Sequence, residues 1–230
     1  HVGFVISFVL FITFIVFMYA ILSSRVDFGK EKANSFSYVK AEIINRVSEN
    51  LTSVSIAIGQ QNPQSCIRLT DFFLKTGIGN RFIARSDSGN VLQSGKGGND
   101  LFVQRNGNLF FRVYGSGEFN VSGGALSNCQ PLNEGSQGYT LGISRDSNDI
   151  FESKVLNLLE NYTGDYDALK KDMKISSGDE FGFRFVYNNG TEIKTPEKNA
   201  TINIYAERIA VQYIKTDATR ESGFIDAMVW

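Results

Sequence analysis

The chain has 230 residues, 42% of them apolar and 20% charged, with 23 basic side chains against 24 acidic ones. That length and apolar content suffice for a real hydrophobic core and do not fit a disordered chain. The even charge argues against nucleic acid as a partner, because phosphate binding draws on an excess of Lys and Arg. Two cysteines and a single histidine, His1, cannot build a Cys- or His-based metal site, and no other histidine could activate a serine or cysteine. An enzyme is not expected, and neither is a cofactor.

Residues 2–22, VGFVISFVLFITFIVFMYAIL, carry no charge. A run of about 20 apolar residues is the length that crosses a hydrocarbon core of roughly 30 Å. A secretory signal would pair a shorter apolar stretch with a basic leader and a small-residue cleavage site. The expectation is a chain processed just before this run, which then stays in the mature protein as a helix. Phe4, Phe8, Phe11, Phe14 and Phe17 recur every three or four residues. On a helix they form a ridge suited to interlocked packing between copies, the candidate filament core.

Over residues 26–58 the pattern changes. Phe36, Val39, Ile43, Val47, Leu51, Val54 and Ile58 are spaced by three and four, with Lys40, Glu42, Arg46 and Glu49 on the other face. This is the stripe of an amphipathic helix, and no proline interrupts it before Pro63. The spacing predicts one long helix through residue 58, apolar over 2–22 and an amphipathic stalk over 26–58, within an N-terminal unit of residues 1–61.

Residues 62–230 read as the head, with possible subdomains at 62–145 and 146–230. Short alternating runs predict strands at 81–85, 100–104, 109–114, 139–144, 180–187, 201–215 and 223–230. Residues 86–99 read as a surface loop. Asn106-Gly107 predicts a hairpin between two of the strands, and residues 188–190, Asn-Asn-Gly, predict another. A helix is expected from residue 150, capped by Ser147 or Asn148, and a shorter one over 165–173. The expected fold class is α+β: a long N-terminal helix, apolar then amphipathic, followed by a mainly antiparallel, β-rich globular head with one or two helices.

Cys66 and Cys129, the only cysteines, are expected to pair in an oxidising compartment. Five acceptor sequons, at Asn50, Asn120, Asn161, Asn189 and Asn199, are candidates for N-linked glycans. Other motifs fail on spacing. Residues 89–97 are one residue too long for a phosphate-binding loop and end in Gly97 where Ser or Thr belongs. Residues 146–152 lack the Gly and the later Glu of a calcium loop. Gly115-Ser116-Gly117 lacks the flanks of a nucleophile elbow.

An uncharged apolar N-terminal helix, an amphipathic continuation and a β-rich remainder resemble a type IV pilin, above all the archaeal kind. Residues 1–58 carry the resemblance. Val5 stands where bacterial pilins usually have a glutamate, which archaeal pilins commonly lack. The resemblance implies a structural subunit of an extracellular pilus-like filament at the cell surface. Its partners would be further copies of itself in a helical homopolymer, the membrane before assembly and the pilus assembly machinery. The head would be left exposed for adhesion. The alternative is a single-pass, membrane-anchored surface ectodomain, a receptor or adhesin that does not polymerise.

Overall fold

The computed structural model describes residues 2–59, 64–196 and 204–230, without the side chains of 2, 4, 5 and 20–32. In chain order the elements are α1 (Val2–Val47), β1 (Ser48–Ile58), β2 (Cys66–Leu69), α2 (Phe72–Thr76), β3 (Phe82–Ser86), β4 (Val91–Leu92), β5 (Ser94–Gly97), β6 (Asp100–Gln104) and β7 (Phe110–Gly115). There follow β8 (Gly123–Gly124), β9 (Gln130–Leu132), β10 (Tyr139–Phe151), α3 (Glu152–Gly164), α4 (Tyr166–Asp172), β11 (Phe181–Tyr187), β12 (Glu192–Lys194), β13 (Tyr205–Ile214) and β14 (Arg220–Val229). The described strands form a nine-stranded sheet, ordered β12-β11-β14-β13-β10-β1-β7-β3-β4, and a five-stranded sheet, ordered β8-β5-β6-β2-β9.

The expected fold class is thereby corrected. The molecule is β-rich, with two sheets of nine and five strands among the described residues, and the expected architecture of a long helix through residue 58 with the β-structure confined to a head after it does not hold. The stalk predicted over 26–58 does not persist as a helix. It ends at Val47, and Ser48–Ile58 enters the middle of the larger sheet. There β1 pairs antiparallel with β10 on one side and with β7 on the other. Leu51, Val54 and Ile58 fit the helical spacing, but Ile56 completes a two-residue alternation of buried positions at 54, 56 and 58. Thr52, Val54, Ile56 and Ile58 are β-branched, and such side chains suit a pleated, paired surface better than a helix. Among the described residues no helix is long and apolar enough to cross a membrane.

Two cores share the large sheet. One lies between its β10-β1-β7-β3 half and the five-stranded sheet, filled by Ile56, Ile67, Phe72, Val103, Phe111 and Tyr139. The other lies under β11, β13 and β14 and is closed by the lower half of α1 with α3 and α4. The halves join through one short parallel pairing, Ile150 with Tyr213 and Phe151 with Ile214. Beneath it, the rings of Phe119 and Phe151 meet edge-on at 5.8 Å.

Three further expectations are corrected. Asn106 and Gly107 do form the tight turn, with φ of 51° and 84° and a bond from Asn108 N to Arg105 O of 3.0 Å. Yet β6 belongs to one sheet and β7 to the other, so the turn passes the chain between sheets and makes no hairpin. The surface loop at 86–99 contributes β4 and β5. A Cβ on Gly95 would meet the carbonyl oxygen of Gly124 at 1.9 Å, so only glycine lets β5 and β8 approach. The helix expected from residue 150 starts at Glu152, because pairing with β1 as far as Ile150 and with β13 at Phe151 holds the chain extended. Ser147 accordingly bonds Asp149 and Leu51 instead of capping a helix. The mainly antiparallel order has three parallel exceptions, β10–β13, β2–β9 and β5–β8. The turn at 188–190 does join a hairpin, β11–β12.

Candidate interaction surface

Residues 6–19 of α1 expose twelve large apolar side chains, each at least 42% accessible. Phe8, Phe11, Phe14 and Phe17 are 57–63% exposed; Phe4 lies outside the described side chains. A helix that is apolar on every face needs protein or lipid around it. Water tolerates isolated exposed apolar residues, but not a contiguous surface of this kind. The polar Thr13 fits such a surface, because its hydroxyl donates to the carbonyls of Val9 and Leu10 at 3.0 and 2.9 Å. It can therefore be covered without losing a hydrogen bond.

The lower half of α1 is fastened to the head. Val39, Ile43 and Val47 are at most 1% exposed. Around them Tyr38 Oη donates to Met173 O at 3.0 Å, and Lys40 Nζ pairs with Glu207 at 3.0 Å. Arg46 grips both the carboxylate and the carbonyl of Asp172, while Ser35 donates to Asp179. These partners lie 126 to 167 residues away in the chain. The amphipathic stripe identifies the buried face of α1, but no local signal names its partners.

Cys66 and Cys129 form a disulfide, with Cα atoms 4.5 Å apart. It stands at the start of the parallel pairing of β2 with β9, where Ile67 faces Gln130. Asn50, Asn120, Asn161 and Asn189 are all exposed, on β1, on the β7–β8 connection, on α3 and in the β11–β12 turn; Asn199 lies outside the described residues. The segments that resemble catalytic or ligand loops serve the fold. Residues 94–97 are β5, residues 146–151 belong to β10, and Ser116 Oγ donates to Asn50 O at 2.8 Å. Among the described residues no group of three His, Cys, Asp or Glu side chains could hold a metal ion. A shallow groove of about 330 Å³ runs beside Asn50 and Arg81, whose guanidinium is bound to the carbonyls of Gly117 and Phe119.

One charged group missed by sequence reasoning lies on the outer face of the large sheet. Asp226, 6% exposed, accepts from Arg208 Nε at 2.7 Å and from Arg184 Nε at 2.8 Å. Bonding to Arg208, reinforced by Arg184, holds its pKa below the ordinary 3.8 against the opposing effect of burial. A carboxylate depressed in the folded state stabilises above its unfolded pKa, and that contribution is lost as pH falls through the folded value. Asp226→Asn should therefore cost about 1.5–3 kcal/mol at neutral pH, the worth of hydrogen bonds to a charged group. Urea midpoints of the two proteins should converge as pH drops below 3.8. A gap that stays constant into acid would show that the carboxylate charge contributes nothing.

No protein-family model matches the chain, and neither does any curated protein or solved structure.

Proposed function

We propose that the chain is a pilin-like structural subunit of an extracellular filament. Residues 6–19 would pack against the same residues of further copies, and the β-rich head would face solvent at the cell surface. One observation supports this reading above the others: twelve large apolar side chains stand exposed around one helical segment, while the lower half of the same helix is tied into the head. Such a segment is the part of the molecule that gains most by being covered. The tie fixes its direction relative to the head. Addition of copies by a rotation and a rise makes an open helical polymer with no closed ring.

The test is negative-stain electron microscopy of material sheared from cells, beside the Phe11→Asp/Phe14→Asp variant. Filaments of uniform width are expected for the unaltered chain and none for the variant, since a carboxylate buried without a partner costs several kcal/mol. The head of the variant should keep its melting temperature. Protein found only in detergent extracts, with no filaments, would overturn the proposal and favour an anchored ectodomain. Filaments formed equally well by the variant would overturn it too.

A further inference from the structure

The sequons are not equivalent once the chain is folded, because their hydroxyl groups do different things. In Asn50-Leu-Thr, Thr52 Oγ1 donates to Asp146 at 2.6 Å, and Asn50 itself lies within β1, paired opposite Asn148. In Asn120-Val-Ser, Ser122 Oγ donates to Phe82 O at 2.8 Å and accepts from Phe82 N at 3.1 Å. In Asn161-Tyr-Thr, Thr163 Oγ1 donates to helix carbonyls of Leu159 and Glu160, both at 3.0 Å, and the buried Tyr162 anchors that turn of α3 in the core. Each of these three hydroxyls is committed to the fold.

Asn189-Gly-Thr differs. Asn189 Oδ1 accepts from Thr191 Oγ1 at 2.7 Å and from Thr191 N at 3.0 Å, so this sequon is closed upon its own asparagine. Both bonds use the amide oxygen, and neither uses Nδ2, the atom that a sugar joins. The turn is held open by Gly190 at φ 83° and by Tyr187 N bonded to Thr191 O at 2.8 Å. It projects beside β12, the terminal strand of the large sheet, where Asn189, Gly190 and Thr191 are all exposed.

We propose that, among the four described sequons, Asn189 is the one that carries an N-linked glycan on the folded chain. The donor class is a glycan carried on a lipid diphosphate, used by a membrane oligosaccharide transferase. Asn189 Nδ2 attacks the anomeric carbon of the first sugar. The bond from that carbon to the diphosphate oxygen breaks, the lipid diphosphate leaves, and one Nδ2 proton passes to a base of the transferase. An N-glycosidic bond replaces the glycosyl phosphate bond, with no oxidation or reduction. Nothing in this step depends on self-assembly, so filaments and glycan can be lost independently.

The experiment is glycopeptide mass spectrometry on the chain purified from its own cells after trypsin. The peptide 185–194, FVYNNGTEIK, should carry a glycan that electron-transfer fragmentation places on Asn189, while peptide 155–170, which contains Asn161, should be bare. Thr191→Val and Asn189→Gln should each remove one glycan mass from the intact protein and leave its circular dichroism unchanged. Peptide 185–194 found only without sugar would overturn the proposal, as would a Thr191→Val chain that keeps the glycan.

Discussion

Phe183→Ala should lower the free energy of unfolding by about 3–5 kcal/mol, the range for deleting a buried ring. Phe183 is 1% exposed and projects from β11 into the helix-covered core. Its register partner on β14 is Ala227, a small residue over which the ring extends. Tyr162 of α3 meets it edge-on at 6.4 Å, and Tyr162 is fixed in turn by its hydroxyl, which donates to Phe181 O at 2.8 Å. Burial raises the Tyr162 phenol to about 12, so it remains a donor across the neutral range. Rings held in this way cannot collapse into the space left by a truncated neighbour, so the cavity persists. For a domain of this size each kcal/mol shifts the melting temperature by about 2–4 °C, which gives a fall of roughly 6–20 °C by calorimetry. Ile143→Ala, at a side chain 78% exposed, should stay within about 0.5 kcal/mol. A Phe183→Ala loss below about 1 kcal/mol would mean that α3 is not packed on this face of the sheet.

Removing the disulfide should have an effect of similar size by another route. Cys66→Ser/Cys129→Ser opens a loop of 63 residues. In the chain-entropy account a crosslink of that span contributes about 4 kcal/mol, chiefly by restricting the unfolded chain. The folded state has little to offset the loss locally. β9 is an edge strand three residues long, and only β2 pairs with it in the smaller sheet. The double variant should melt roughly 8–16 °C lower. Unaltered protein melted in a reducing agent should match it. Unchanged melting in both cases would show that the smaller sheet holds β9 without the crosslink.

Much of the head is legible because strand signals are local. The alternation in 180–187 and the turn residues at 188–190 appear as β11 and its hairpin to β12. Asn106-Gly107 shows where such reading stops. Positive φ is a property of two residues and their turn, and it is met. Whether the flanking strands then pair depends on which sheet has room for each, and β6 and β7 part company. Ser48–Ile58 is the larger case. Spacing by three and four continues through it, but β10 and β7 supply pairing on both sides, which outweighs any helical preference in that stretch. The candidate sites divide in the same way. The five sequons can be counted from sequence, whereas the partners of Thr52, Ser122, Thr163 and Thr191 cannot.

By itself the sequence determined the apolar run of residues 2–22, the buried face of α1, the supply of two cysteines and the turns that need Asn or Gly. These depend on side-chain chemistry and on backbone preferences within a few residues. The tertiary structure alone decided that Ser48–Ile58 is a central strand, that β6 and β7 lie in different sheets, and that Lys40 and Arg46 meet Glu207 and Asp172. Each of these depends on contacts between elements far apart in the chain, where loop closure and shared burial select the partner and local propensity has no say.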